Sequence, residues 1–175
     1  MGTIDFSLPT AADEMLVVGT IFAEATTGAN ASDDEKRAIG LCVVNMAYYA
    51  RMTTQNGKKC FNTSFGDGTV RQAIVNSVQG YNSARWKLIM NGDALKSKAA
   101  LEKDLNSLET AVLKSVVVTA ASVMQTALPA PGPGSTRVPL QFNQAANSPP
   151  SDREEKIFNL ASHTFYGFIV GRECR

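Results

Sequence analysis

The stretch Met15-Leu16-Val17-Val18-Gly19-Thr20-Ile21-Phe22-Ala23-Glu24 decides the fold, because it is an apolar run of helical length that ends on a carboxylate. Thr10 stands three residues before Asp13, just ahead of the run, an N-cap pattern that starts a first helix at about residue 11. Met15, Val18 and Phe22 form its inner face at helical spacing. The chain then breaks at Thr26-Thr27-Gly28. A carboxyl group held against apolar surface is disfavoured in its charged form, so the pKa of Glu24 is expected to rise toward the range of a general acid. Glu24 is therefore the first catalytic candidate.

Further helices follow outward from this one. Asp33-Asp34-Glu35 suits the positive end of a helix, and Ile39, Cys42, Val43, Met46 and Tyr49 continue at helical spacing, so a second helix runs over about 33–51. Residues 53–68, rich in Gly, Asn, Lys and Thr, read as a loop. Val70, Ile74 and Val78 then predict a third helix, stopped by Gly80. Leu101, Leu105, Leu108, Val112 and Val116 share one stripe and predict a long fourth helix over about 97–128, expected to be the structural spine. Pro129-Ala130-Pro131-Gly132-Pro133-Gly134 ends it, and an irregular surface loop is expected over about 129–150. Ser151-x-x-Glu154 caps a brief helix, and the apolar end from His163 to Val170 packs on the rest. The expected fold is mainly α, a single domain over residues 1–175 with at most a small β element.

Bulk properties narrow the function. A chain of 175 residues with 44% apolar and 19% charged residues is an ordinary globule with a real core. Seventeen basic residues against sixteen acidic leave a net charge of +1, which gives no electrostatic case for nucleic acid or an anionic membrane. The start, Met1 to Pro9, carries an acidic residue where a secretory signal has Lys or Arg, and no apolar h-region follows; no export signal is expected. The greasy segment Val112 to Val123 is interrupted by Lys114 and Ser115 and falls short of the ~20 residues that span a bilayer, so it reads as a core helix and not as a membrane span. Three cysteines and one histidine do not make a zinc site, and no metal or cofactor is expected. In an oxidising compartment Cys60 and Cys174, both in polar segments, are the expected disulfide pair, with Cys42 left on the apolar stripe of its helix.

Ile21-Phe22-Ala23-Glu24-Ala25, followed after the acidic helix start by Ala38-Ile39-Gly40-Leu41-Cys42-Val43-Val44-Asn45, resembles the "EAR" and "AVAxVVLNR" blocks of bacterial cell-wall hydrolases of the spore-cortex-lytic type. Val78-Gln79-Gly80-Tyr81-Asn82-Ser83 resembles the "VYQ…FS" segment of that family, and Ser162-His163-Thr164-Phe165-Tyr166-Gly167 its closing "GHxFY", in the same order. Thr26 and Met46 stand where the family has Arg, and the second Glu of its "EARGE" is absent. The resemblance implies a lysozyme-like fold that cuts the β-1,4 bonds of the peptidoglycan glycan strand, with Glu24 as acid and base. A small leaderless enzyme of this kind also looks like the glycoside hydrolase toxins that bacteria inject through the type VI secretion system. That implies synthesis in the cytoplasm, action in the periplasm of a rival cell, and as partners the secretion machinery and a cognate immunity protein.

Glycoside cleavage usually needs a second carboxylate, ~5 Å from the first for retention or ~6.5–9.5 Å for inversion. Asp33, Asp34 and Glu35 are explained as helix-start charges. Asp67 in Gly66-Asp67-Gly68 reads as a turn or cap residue and is the best of few candidates for the second group. Without one, Glu24 acts alone, and its product is either a reducing or an anhydro sugar. Gln79, Tyr81 and Asn82 offer amide and phenol groups to acetamido sugars, and Trp86 and Tyr166 offer rings to stack on them. His163 is expected at the edge of the site. It is also the base in a rival reading, a cysteine amidase or peptidase with Cys60 or Cys42 as nucleophile; Cys42 suits it poorly, because a mid-helix cysteine on an apolar face is inert. A helical interaction protein without chemistry is the third reading.

Overall fold

A computed structural model of the chain describes residues 1–25, 32–56, 66–143, 149, 152–161 and 163–170, with the side chains of the second helix described up to residue 52. Helix α1 (Ala12–Glu24) is the centre. Its residues Leu16 to Phe22 are buried without a break, so the expected inner face of Met15, Val18 and Phe22 widens to the whole circumference. A helix that is apolar all round must be surrounded. Helices α2 (Asp33–Asn56), α3 (Val70–Ser77) and α4 (Ala84–Ile89) all pack against it. The N-cap position is Ala11, which makes no side-chain bond, so Thr10 does not cap this helix.

The segment after α3 holds elements that the sequence reading leaves out. α4 is capped by Ser83, whose Oγ accepts the Trp86 N–H, and leads into a hairpin of β1 (Met90–Asn91) and β2 (Ala94–Leu95). Gly19 lets α4 approach α1: a Cβ there would lie 2.8 Å from the Trp86 ring.

The expected fourth helix is two. α5 (Lys98–Asp104) ends at Leu105, and α6 (Ser107–Met124) restarts with a capping box. Asn106 Oδ1 accepts the Glu109 N–H at 2.9 Å and Glu109 Oε2 accepts the Asn106 N–H at 2.9 Å. This break resets the helical phase. Leu101 and Leu105 stay buried, whereas α6 buries Leu113, Val116, Ala120 and Val123, leaving Val112 partly covered and Leu108 58% exposed. α6 is long and apolar enough to cross a membrane by length and composition, and its buried face packs against α1 and α2.

Segment 129–150 is not wholly a surface loop. Asn45 of α2 is fully buried and donates Nδ2 to the carbonyls of Ala130 and Pro139, both at 3.0 Å, while its Oδ1 accepts the Ala130 N–H at 2.9 Å. Ala130 and Leu140 are thereby drawn into the core, and the chain continues as β3 (Gln141–Asn143). Instead of a helix capped from Ser151, Glu154 opens strand β4 (Glu154–Leu160), followed by β5 (His163–Phe168). The antiparallel order is β3-β5-β4, so β5 is central and all six of its residues are buried. The fold is mainly α with a small β element, and helices and sheet share one hydrophobic core.

Candidate active site

The sequence places Glu24 at the last position of α1, and the fold turns that end into the wall of a cleft of about 520 Å³. Ser77 at the end of α3, Gln79 and Gly80 after it, and Ser83 to Arg85 at the start of α4 form a second wall, and β3 with His163 of β5 forms a third. Glu24 is half-buried, and its Oε1 accepts the backbone N–H of Gly80 in a short hydrogen bond. Burial pushes its carboxyl above the ordinary glutamate value; the Gly80 N–H and the field of His163 pull it down by less. Oε2 has no partner among the described residues. The carboxyl is therefore anchored through Oε1.

Gly80 has a role here that its reading as a helix stop does not convey. α3 already ends at Ser77, with Val78 as C-cap. At position 80 a Cβ would lie 2.6 Å from Glu24 Oε1 and 3.0 Å from Ala23 Cβ, so only a residue without a side chain brings its N–H to this carboxylate.

Of the other sequence candidates, the cleft gathers Gln79, which is exposed on its wall, and His163. Tyr81 is turned away: its hydroxyl donates to Asp93 Oδ1 at 2.9 Å, and Arg71 donates to Asp93 Oδ2, so phenol and guanidinium tie the β1–β2 hairpin to α3. Asn82 is an exposed turn residue at φ +60°, outside the cleft. Trp86 is 1% exposed, with its Nε1–H on the Gly92 carbonyl, and Tyr166 is fully buried in β5; neither ring can stack on a ligand. Asp67 is exposed and outside the cleft, accepting from Thr69 N at 2.9 Å and from Thr69 Oγ1 at 2.7 Å; it orients Thr69, the N-cap of α3, and is not placed to serve Glu24 as a second carboxylate. Cys60 and Cys174 lie outside the described residues. Cys42 is buried and free, and burial pushes its thiol well above its usual value, so it does not supply a thiolate.

The feature missed in the sequence is Glu35. It is no solvated helix-start charge: its side chain is fully buried, and Oε1 lies 2.7 Å from His163 Nδ1, also fully buried. Asp33, 85% exposed, keeps the expected role and pairs with Lys36. A signal was available, since Glu35 stands four residues before Ile39 and so continues the apolar stripe of Ile39, Val43 and Met46. Phe142 meets the His163 ring edge-on, with centroids 5.4 Å apart. Held between Glu35 and Phe142, His163 forms a fixed part of the third wall.

The chain matches no family model, no curated protein and no solved structure. The chemistry of the cleft follows from its own groups. Among the described residues Glu24 is the one carboxylate on its walls, and no group of three His, Cys, Asp or Glu is placed to hold a metal ion.

Proposed function

We propose that this protein is a peptidoglycan glycoside hydrolase of the muramidase type, with Glu24 as general acid and then general base. The observation that carries the reading is a half-buried carboxyl, its pKa raised by burial, on the wall of a cleft with one oxygen anchored by a backbone N–H. The cell-wall substrate comes from the sequence blocks around Glu24, Asn45, Gly80 and His163.

In this reading Glu24 gives its proton to the glycosidic oxygen as the bond from that oxygen to C1 breaks. The carboxylate so formed is stabilised by the Gly80 N–H, a bond that strengthens as negative charge develops. Glu24 then removes a proton either from a water whose oxygen bonds to C1 or from a hydroxyl of the same sugar, which closes an anhydro ring. A single carboxylate among the described residues of the walls suits both routes. The setting proposed with this activity is an antibacterial toxin injected into the periplasm of rival cells, with an immunity protein that fills the cleft.

The test is the chemistry of the ends released from purified peptidoglycan. Reducing or anhydro sugar ends support glycan cleavage. Newly freed amines without new sugar ends would replace it with an amidase, for which the buried Cys42 is unsuited as nucleophile.

A further inference from the structure

Arg85 is the feature of the cleft that the acid–base chemistry of Glu24 leaves unused. Its Nε and Nη2 donate to the Phe22 carbonyl at 3.0 and 2.7 Å, and the guanidinium lies 5.0 Å from the centre of the Phe22 ring. These contacts close off a carbonyl at the end of α1 and immobilise the planar group, yet they use two of its five N–H donors. The side chain is half-buried on the cleft wall and has no ion-pair partner among the described residues. The carboxylate whose field reaches it is that of Glu109, already bound to the Asn106 N–H in the cap of α6. Burial lowers its pKa, as expected for a cation that has given up water without gaining an anion. Glu24 does not fill that place: the groups acting on it are the Gly80 N–H and His163.

A fixed, partly desolvated guanidinium with donors to spare is matched to a planar oxyanion. We propose that Arg85 binds a carboxylate of the ligand, so that the cleft selects acidic amino-sugar chains over neutral ones; this rests on the glycan-cleaving reading above and narrows its substrate class. In peptidoglycan the carboxylate comes either from the lactyl group of a muramyl sugar free of peptide or from the peptide stem. A homopolymer of N-acetylglucosamine carries neither.

Calorimetric titration of the Glu24→Gln protein, which leaves the glycan intact, tests the assignment with soluble stem-free and stem-bearing fragments, each with its carboxylates either free or converted to amides. Amidation is expected to weaken binding about tenfold or more, and by less than about twofold once Arg85→Met is added to Glu24→Gln, with circular dichroism confirming that both variants are folded. Sensitivity in the stem-free fragment assigns the lactyl carboxylate; sensitivity confined to the stem-bearing fragment assigns the stem. Equal affinity for free and amidated fragments of both kinds overturns the Arg85 assignment and leaves the Glu24 reading standing. No binding to any fragment, together with no sugar ends released by the unmodified protein, overturns the glycan reading and the Arg85 assignment with it.

Discussion

Gly80→Ala places one methyl group against the candidate acid. The added Cβ falls 2.6 Å from Glu24 Oε1 and 3.0 Å from both Glu24 Cδ and Ala23 Cβ, where ordinary contact needs 3.4 Å or more. The carboxylate is the free end of a flexible side chain and moves more cheaply than the backbone, so Glu24 swings away by about 1 Å and loses the Gly80 N–H. A hydrogen bond to a charged group is worth roughly 1.5–3 kcal/mol, which caps the loss of stability at about that size. Activity is expected to fall further, by about 10²-fold, because a displacement of ~1 Å of the reacting group costs that much. Titration gives an independent sign. The Gly80 N–H favours the charged carboxylate, so its loss raises the Glu24 pKa beyond the increase that burial already gives. A general acid must be protonated, and the alkaline limb of kcat/KM marks where it ceases to be. That limb is therefore expected to move to higher pH in Gly80→Ala. The assay is release of soluble fragments from purified peptidoglycan across pH, with thermal unfolding followed by circular dichroism. A folded variant with unchanged rate and unchanged limb would refute the role given to Gly80.

Other parts of the structure make separate predictions. Glu35→Ala leaves the His163 ring buried beside a void and is expected to cost about 3 kcal/mol in urea denaturation; a loss under about 1 kcal/mol would mean that the pair does not hold β5 on α2. Asn45→Ala strips partners from the Ala130 N–H and from the carbonyls of Ala130 and Pro139, so a loss of roughly 3–5 kcal/mol is expected by the same method, and an unchanged midpoint would count against its burial. Leu113→Ala is expected to cost about 2–5 kcal/mol and Leu108→Ala no more than ~0.5, whereas one unbroken helix with Leu108 in its buried stripe would give Leu108 the larger cost.

Much of the helical frame is legible from residue patterns. The run ending at Glu24 and the stripe through Ile39, Cys42 and Met46 are long enough for the period to identify α1 and α2. The break between α5 and α6 was also written in the sequence, as Asn106-x-x-Glu109, but the surrounding leucines continue at nearly helical spacing and hide it. The C-terminal strands are less readable for physical reasons. β5 is buried on both faces and so has no alternation, and β4 carries an irregularity between Lys156 and Phe158 that interrupts its own. At the site, Glu24 was legible because its apolar context is local in the chain. Its partner was not, since the contact with Gly80 spans 56 residues and uses a backbone group that every residue except proline carries. Trp86, Tyr81 and Tyr166 show the converse: their residue types suit sugar binding, while packing assigns them to the core and the hairpin.

The most direct test of the central claim is mass spectrometry of the fragments that the wild type and Glu24→Gln release from purified peptidoglycan, with the fold of both verified by circular dichroism. Fragments ending in a reducing or an anhydro sugar are expected from the wild type and none from Glu24→Gln. Sugar-terminated fragments from a folded Glu24→Gln protein, or none from the wild type, would contradict it.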